Sequence, residues 1–518
     1  MANFVLLPPP GSGNPAALGS QVLADTGPPG FYRPRRPERT VLYQVVQIHL
    51  ETFLSRLREA DPDADPVPRH VERTFRRYLE CGIFALGFAR AHCSACGHDS
   101  FVAHSCKTRG LCPSCNTRRM AETAAHLVDH VIPFVPVRQW VLSLPKRLRY
   151  FLAHDPKVTG GVLRIFLRSV EGALRKAAAS VGVAGTDRDG NGIAGADGGG
   201  SGIAGNARSE TGTVVPRGVG SGKEARCGAV GFLHRFGSAI NAHCHYHCVV
   251  TDGVFEEEPG GGVAFREAPG LDRSALVSLQ DKIRRRVLAY LHRRGCLSAD
   301  EVAEMLDWDH GGGFSVDASV RIAASDRLGL ERICRYCARP AFAADRLVKE
   351  GPDTLIYTPP KPGPDGRPYL VMTPLELLQK LSALIPPPYL NMVRYFGVFA
   401  PHARMRAAVV ALAGPDPLLA DRLCRAAREM GLDPGKLAVS SAGMPPGSIA
   451  PGGVPPSGIL PPAEGLSPET AASPPRKKRP ASRTWAMLMA RIYETLPLSC
   501  PRCQAAMKII AFITRPDT

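Results

Sequence analysis

Two Cys-x-x-Cys pairs constrain the fold of this chain more than any other feature. Fifteen residues separate the pair Cys93 and Cys96 from the pair Cys112 and Cys115, which is the spacing of a four-thiolate zinc site. Each pair can direct two sulfurs at one tetrahedral centre, and four thiolates leave no open position for catalysis. We therefore predict that these four cysteines bind a structural Zn²⁺. The alternative is that they are buried reduced cysteines, close in sequence by chance.

The remaining cysteines do not indicate disulfides. The chain has 518 residues and 15 cysteines, and an odd count in a chain without an export signal does not suit a disulfide framework. Cys106, His98 and His104 lie between the two pairs, and we interpret them as bystanders. Cys500 and Cys503 look like half of a zinc ribbon for which the sequence suggests no partner.

Composition and charge indicate a folded chain with an anionic partner. Hydrophobic residues make up 44%, which excludes wholesale disorder, and the net charge is +17. No apolar run reaches the ~18 residues that a membrane span needs, and the first residues lack a signal-peptide pattern. We therefore expect no membrane association and a cytoplasmic location. Basic residues around the second cysteine pair suit contacts with DNA phosphates, the alternative being a solvated basic face: Lys107, Arg109, Arg118 and Arg119.

Local patterns predict the elements and the domains. Apolar spacings of three and four residues predict helices over LYQVVQIHLETFLSRLREA and VERTFRRYLECGIFALGFA, and RQWVLSLP predicts a strand. The segment 181–223 has 14 glycines, too little apolar surface to fold, so we predict a disordered insertion. We predict five parts: a flexible basic arm (1–40), a zinc-binding DNA-docking domain (41–136), a catalytic domain containing the insertion (137–440), a Pro-rich basic linker (441–482) and a small appendage with the last cysteine pair (483–518).

Histidines alternate along one predicted strand, SAINAHCHYHCVVTDG. Alternate side chains share a face of a strand, so His243, His245 and His247 point one way. Two imidazoles spaced in this manner can bind one divalent ion, although the histidines could also serve a role without metal. The upstream segment AVGFLHRFG predicts an antiparallel partner strand that carries His234.

A tyrosine in a basic setting is the candidate nucleophile. Tyr336 lies in LERICRYCARP at the start of a short predicted helix, with Arg332, Arg335 and Arg339 around it. Guanidinium groups there would hold a phosphate and favour the phenolate. The alternative is a helical tyrosine on a basic surface. The Cys-x-x-Cys pair that flanks this tyrosine has no second pair nearby, and we do not predict a metal site there.

Taken together, these motifs resemble those of rolling-circle insertion-sequence transposases, which belong to the HUH (His–hydrophobe–His) endonuclease superfamily. The resemblance runs from about Tyr32 to the C-terminus, apart from the two linkers. The similar segments are LECGIFALGFARAHC, SCKTRGLCPSCNTRRMAE, VRQWVLSLPKRLR, RFGSAINAHCHYHCVVTDGVF, LERICRYCARPAF and PYLNMVRYFGVFAPHARMR.

The resemblance implies an α+β fold, with an antiparallel-sheet core, flanking helices and a small helical zinc-binding domain in front. It implies that His245, Tyr246 and His247 form the HUH triplet, and that both histidines bind Mg²⁺ or Mn²⁺ with a third ligand. By geometry His234 and, more weakly, His243 are candidates for that ligand.

The resemblance also implies a reaction. Tyr336 would attack a phosphodiester of single-stranded DNA at the element ends and the target site, leaving a 5′-phosphotyrosine. Two-tyrosine relatives carry a second tyrosine four residues earlier, where this chain has Arg332, so the chain resembles the single-tyrosine branch. The protein would then work in the bacterial nucleoid. Two other functions stay open: a catalytically decayed, zinc-dependent DNA-binding protein, and a metal-dependent hydrolase that does not use Tyr336.

Overall fold

The structure is a computed structural model. It describes residues 35–60, 67–183, 225–414 (except 260–261, 269, 361 and 363–365), 416, 421, 425, 428 and 498–514. The predicted Pro-rich linker lies outside the described residues, as do the predicted arm up to residue 34 and the predicted insertion from residue 184 onward. Among the described helices, none combines the length and the apolarity that crossing a membrane requires.

The described residues form ten α-helices and fourteen strands. The helices are α1 (Val41–Ala60), α2 (Arg69–Leu79), α3 (Pro113–His130), α4 (Lys146–His154), α5 (Pro156–Val183), α6 (Arg273–Arg293), α7 (Ala299–Asp307), α8 (Arg327–Cys337), α9 (Pro374–Leu384) and α10 (Arg406–Ala411). The strands are β1 (Gly87–His92), β2 (Asp99–Ala103), β3 (Val137–Ser143), β4 (Gly228–Phe236), β5 (Ala242–Thr251), β6 (Gly253–Glu257), β7 (Val263–Glu267), β8 (Ser315–Asp317), β9 (Arg321–Ile322), β10 (Leu347–Lys349), β11 (Leu355–Tyr357), β12 (Leu370–Met372), β13 (Val393–Gly397) and β14 (Lys508–Thr514).

The predicted elements are largely confirmed, with one helix shorter than expected. The first predicted helix is α1, and the predicted strand is β3. The second predicted helix ends at Leu79, and the rest of that segment leads into β1. Gly82 interrupts it with a φ of 84°, a left-handed conformation that glycine adopts easily and that a helix cannot contain.

The central sheet has the order β13-β4-β5-β3-β8. The strand β8 pairs with the C-terminal end of β3, and β9 pairs with its N-terminal end. All of these pairs are antiparallel, which agrees with the expected α+β class. The central strand β5 alternates its side chains between two cores. Tyr246 and its even-numbered neighbours pack in the core that includes α5 and α6, and the Tyr246 hydroxyl donates to the Thr159 carbonyl at 2.9 Å. His245, His247 and Val249 therefore face the other side, where α3 and α8 pack.

A third core joins N-terminal and later segments. Side chains of α1 and α2 pack with α9 and with the three-stranded sheet β10-β11-β12. Conversely, Leu127 and Val128 of α3 pack in the core against the central sheet. Packing therefore crosses the domain boundary that we predicted at residue 136.

The cysteine-rich region is a mixed α/β structure, in contrast to the helical module expected from the sequence. The strands β1 and β2 form an antiparallel hairpin, and β14 from the C-terminal segment pairs with the free edge of β1. The described part of the predicted appendage thus supplies the third strand of this sheet, whose other two strands lie between α2 and α3 in sequence.

Candidate active site and metal centres

Three histidines converge at the centre of the main sheet. The register of β4 and β5 places His234 opposite His245, and Phe232 opposite His247, which confirms the predicted partner strand. One ring nitrogen from each of His234, His245 and His247 lies within 4.8 Å of the others. His243 is outside this group, and its backbone carbonyl accepts a hydrogen bond from Nδ1 of His245 at 3.0 Å.

The hydrogen bonds of these rings leave nitrogen lone pairs for a metal ion. Nε2 of His234 donates to the Cys337 carbonyl at 2.6 Å, so Nδ1 is unprotonated, and this buried atom has no hydrogen-bond partner among the described residues. His245 uses Nδ1 as a donor, which leaves the lone pair of Nε2. Orphaned nitrogens of neutral imidazoles suit a divalent cation, so the residues present fit the metal that the resemblance implies.

Gln139, which no sequence motif singled out, contacts the third ring. Its side-chain amide lies 2.9 Å from Nδ1 of His247, both side chains being 5% exposed. As placed, the Nε2 end of the amide faces the ring. The two ends of an amide exchange by a half-turn, and with Oε1 toward the ring instead, Gln139 accepts from Nδ1–H. Nε2 of His247 then keeps its lone pair. The available signal was one amide among the mostly apolar residues of β3.

Burial keeps the three imidazoles neutral. Desolvation lowers the pKa of His245 to about 4 and that of His247 to about 3, and it lowers the pKa of His234 well below its ordinary value. The neighbouring imidazoles and the Arg339 guanidinium lower these pKa values further. Neutral rings are the form that binds a metal ion, so no proton has to be displaced at pH 7.

Tyr336 lies beside this group. Its ring centroid is 5.4 Å from that of His247, with the rings nearly perpendicular, and the side chain is 45% exposed. The Arg339 guanidinium carbon lies 4.9 Å from the centre of the tyrosine ring. The structure therefore brings together the predicted nucleophile, a predicted arginine and the predicted histidines.

The helix α8 holds Tyr336 in a fixed position. Leu330, Cys334 and Cys337 form a buried stripe that packs in the core on the histidine side of the sheet. At the N-terminus of α8, the buried Arg327 guanidinium donates to the carbonyls of Pro133 and Ile132, at 3.1 and 3.0 Å. These hydrogen bonds attach α8 to the segment that follows α3. The two cysteines of this helix pack as core residues.

The other two predicted arginines, which lie on α8, pair with acidic residues on this helix or at its N-cap. Arg335 donates to Glu331 at 2.6 Å, and Arg332, with a 74% exposed side chain, lies 3.8 Å from Asp326. Arg339 is thus the member of the predicted trio that lies against the tyrosine ring.

The arginines predicted to contact DNA, before and within α3, have partners inside the protein. Arg109 donates to the carbonyls of Leu390 and Pro387, at 2.7 and 3.2 Å. Arg119 donates to the Lys107 carbonyl at 3.0 Å, and Arg118 pairs with an acidic residue one turn later in α3. The Arg109 and Arg119 guanidinium groups already donate to internal carbonyls and keep further N–H donors, so their contacts with DNA phosphates stay a prediction.

The cysteines form two groups of four, and the grouping that we predicted is wrong. We call Cys93 and Cys96 the hairpin pair and Cys500 and Cys503 the tail pair; these four sulfurs lie within 4.8 Å of one another. The hairpin pair belongs to the turn between β1 and β2, whereas the predicted partners lie at the start of α3. There they form the second group, which we call the buried cluster: Cys81, Cys106, Cys112 and Cys115.

The buried cluster corrects two further interpretations. Cys106, interpreted as a bystander, has its sulfur 3.6 Å from that of Cys115. Cys81, which lies outside the predicted Cys-x-x-Cys pairs, has its sulfur 3.6 Å from that of Cys112. The available signal was a count: eight cysteines in the N- and C-terminal regions divide into two sets of four.

Comparison with known families agrees with this architecture. Residues 46–144 match the family model described as "Transposase zinc-binding domain", and this range includes the buried cluster and the hairpin pair. Residues 228–407 match the model described as "Putative transposase", and this range includes the three histidines and Tyr336. No curated protein and no solved structure matches the chain. Zinc is therefore a structural cofactor of this protein, and the two matches together identify the chain as a DNA transposase of the IS91 insertion-sequence family.

Proposed function

We propose that this transposase nicks single-stranded DNA at the ends of its element with Tyr336 as the nucleophile, in rolling-circle transposition. The phenol oxygen would attack the scissile phosphorus, form the 5′-phosphotyrosine bond and release the 3′-oxygen as a hydroxyl that carries the former phenol proton. The phosphotyrosine conserves the energy of the broken ester, so rejoining needs no nucleotide cofactor.

One observation carries the proposal: the ring of Tyr336 lies 5.4 Å from the ring of His247, beside three imidazoles with converging nitrogens. His234, His245 and His247 would hold Mg²⁺ or Mn²⁺, and a bound divalent ion polarises a phosphate oxygen next to the attacking phenol. The exposed fraction of Tyr336 supports access from solvent. An attack of this kind requires an unpaired strand that can follow the protein surface, which favours single-stranded DNA.

The charges around the tyrosine support a phosphate substrate. Arg339 lies against the Tyr336 ring, and Nε of Arg339 is buried without a hydrogen-bond partner among the described residues. A guanidinium in this position can donate to the non-bridging oxygens of a phosphate. We propose Arg339 as the principal phosphate contact, and Lys107, Arg118 and Arg335 as lesser contacts.

The sequence of α8 supports a single nucleophile. The position one helical turn before Tyr336 is Arg332, whose guanidinium is directed to Asp326, and α8 contains no second tyrosine. The buried cluster would bind the structural zinc of the matched zinc-binding domain, since its four sulfurs have the number and spacing of a closed site.

The test uses a single-stranded oligonucleotide that contains an element end, with Mn²⁺. We expect a covalent, protease-sensitive adduct that is lost in Tyr336→Phe and retained in Tyr389→Phe, a control tyrosine that is 81% exposed. DNA binding without any adduct in the wild type would instead support a decayed DNA-binding protein. Cleavage that survives Tyr336→Phe would support hydrolysis at the histidines.

A second variant separates metal binding from DNA docking. We expect His245→Ala to abolish cleavage and to leave oligonucleotide affinity unchanged, because His245 is only 9% exposed and so offers little surface for DNA to contact. Loss of DNA binding in this variant would contradict a purely catalytic role for the histidines.

A further inference from the structure

The hairpin pair and the tail pair have the same backbone geometry. In each turn, the N–H one residue after the second cysteine donates to the carbonyl of the first cysteine: Gly97 to Cys93 at 2.9 Å, and Gln504 to Cys500 at 2.8 Å. These donor residues have left-handed φ values of 74° and 61°. Each first cysteine also donates its N–H to the carbonyl five residues later, at 2.8 and 2.9 Å. Two sequences more than 400 residues apart thus form the same turn, with two sulfurs on one side.

The strands next to these turns fix them against each other. The strand β1 leads directly into the hairpin pair, β14 follows the tail pair, and the two strands are antiparallel neighbours from Gly87 opposite Thr514 to His92 opposite Lys508. Nε2 of His104 adds a contact of 3.2 Å with the Ile513 carbonyl. The pairing of β1 with β14 therefore holds the two cysteine turns opposite each other.

The sulfur distances suit a metal ion. Cys93 and Cys503 have their sulfurs 3.5 Å apart, as do Cys96 and Cys500. A disulfide requires about 2.05 Å. Sulfurs bound to zinc at about 2.3 Å and arranged as a tetrahedron are separated by about 3.8 Å.

We propose that the hairpin pair and the tail pair together bind a second structural zinc ion, which joins the C-terminal segment to the zinc-binding domain. The matched zinc-binding range, residues 46–144, contains only half of these ligands, and the tail pair lies outside both matched ranges. The zinc-binding domain is therefore incomplete until residues 498–514 dock on it. This inference is independent of the role proposed for Tyr336.

The full-length protein provides the first test, by zinc quantification after exhaustive dialysis. We expect about two zinc ions per chain in the wild type, about one in Cys500→Ser/Cys503→Ser and about one in Cys93→Ser/Cys96→Ser. The control Cys296→Ser, outside both groups, should retain about two. Wild-type zinc content in the tail double variant would overturn the proposal, as would disulfides between the two pairs in peptide mapping.

A second measurement needs no variant, and it decides the question if a variant fails to fold. Complete chelation of wild-type zinc, followed by hydrogen exchange, should release protection in β1 and β14 together. Readdition of Zn²⁺ should restore protection in both strands. Unchanged protection of β1 and β14 in the zinc-free protein would overturn the proposal.

Discussion

The orientation of His247 gives a sharp prediction about the metal site. Gln139→Leu keeps the approximate volume of the side chain and removes the amide that contacts Nδ1 of His247. Both side chains are 5% exposed, so water cannot readily replace the lost partner. An unpaired buried polar group costs about 1–3 kcal/mol. At about 1.4 kcal/mol per factor of ten, Mn²⁺ should bind about 5- to 150-fold more weakly.

A second substitution tests which atom of the amide faces the ring. A glutamate side chain would offer only acceptor oxygens, so Gln139→Glu should preserve or strengthen Mn²⁺ binding if Gln139 accepts from Nδ1–H. We would titrate Mn²⁺ and follow the free ion by electron paramagnetic resonance, with Gln379→Leu on the exposed face of α9 as the control. Wild-type affinity in Gln139→Leu would refute the reasoning, and equal loss in both Gln139 variants would refute the assigned direction of the hydrogen bond.

Three other substitutions test how the scaffold is held together. Arg327→Met should lower the free energy of unfolding by about 3 kcal/mol or more, because it leaves several buried carbonyls unpaired. The control Arg332→Met, at an exposed position, should change the free energy of unfolding by less than about 0.5 kcal/mol. Equal denaturant midpoints for the two variants would contradict this prediction. Gly397→Ala should lower the free energy of unfolding by about 3 kcal/mol or more, since the φ of residue 397 is 59° and a Cβ would overlap the Cys227 carbonyl oxygen. An unchanged Tm would show that this end of β13 can move. Cys112→Ser should remove about one zinc ion and expose the zinc-binding region to proteolysis; unchanged zinc content would exclude the buried cluster as a site.

The histidine group was largely predictable because side chains along a strand alternate with a period of two. Histidines at alternate positions must share a face, which grouped His245 with His247. The upstream apolar segment was the predicted partner strand, so His234 was favoured over His243 as the third member, and the structure places His234 in the group. The position of Tyr336 next to them was expected only from the resemblance. Gln139 could not be assigned, because its role depends on the register between β3 and β5.

The cysteines show where a one-dimensional pattern is ambiguous. The spacing of Cys93, Cys96, Cys112 and Cys115 is compatible with a single closed site, yet the hairpin pair is inserted in sequence between two members of the buried cluster. The pairing of β1 with β14 decides the ligand sets, and spacing within a local segment carries no information about a strand more than 400 residues away. Local patterns therefore predicted the turns and missed their partners.

The position of β14 also affects the order in which the protein can assemble during synthesis. Cys93 and Cys503 are 410 residues apart, so at about 5–20 residues per second the ribosome needs roughly 20 to 80 s to make the chain between them. Throughout that interval the β1–β2 hairpin presents an unpaired edge on β1, and such an edge can pair with a neighbouring chain. Growing chains on the same messenger are thus at greatest risk of joining edge to edge before β14 emerges. A chain that terminates early keeps that edge open permanently.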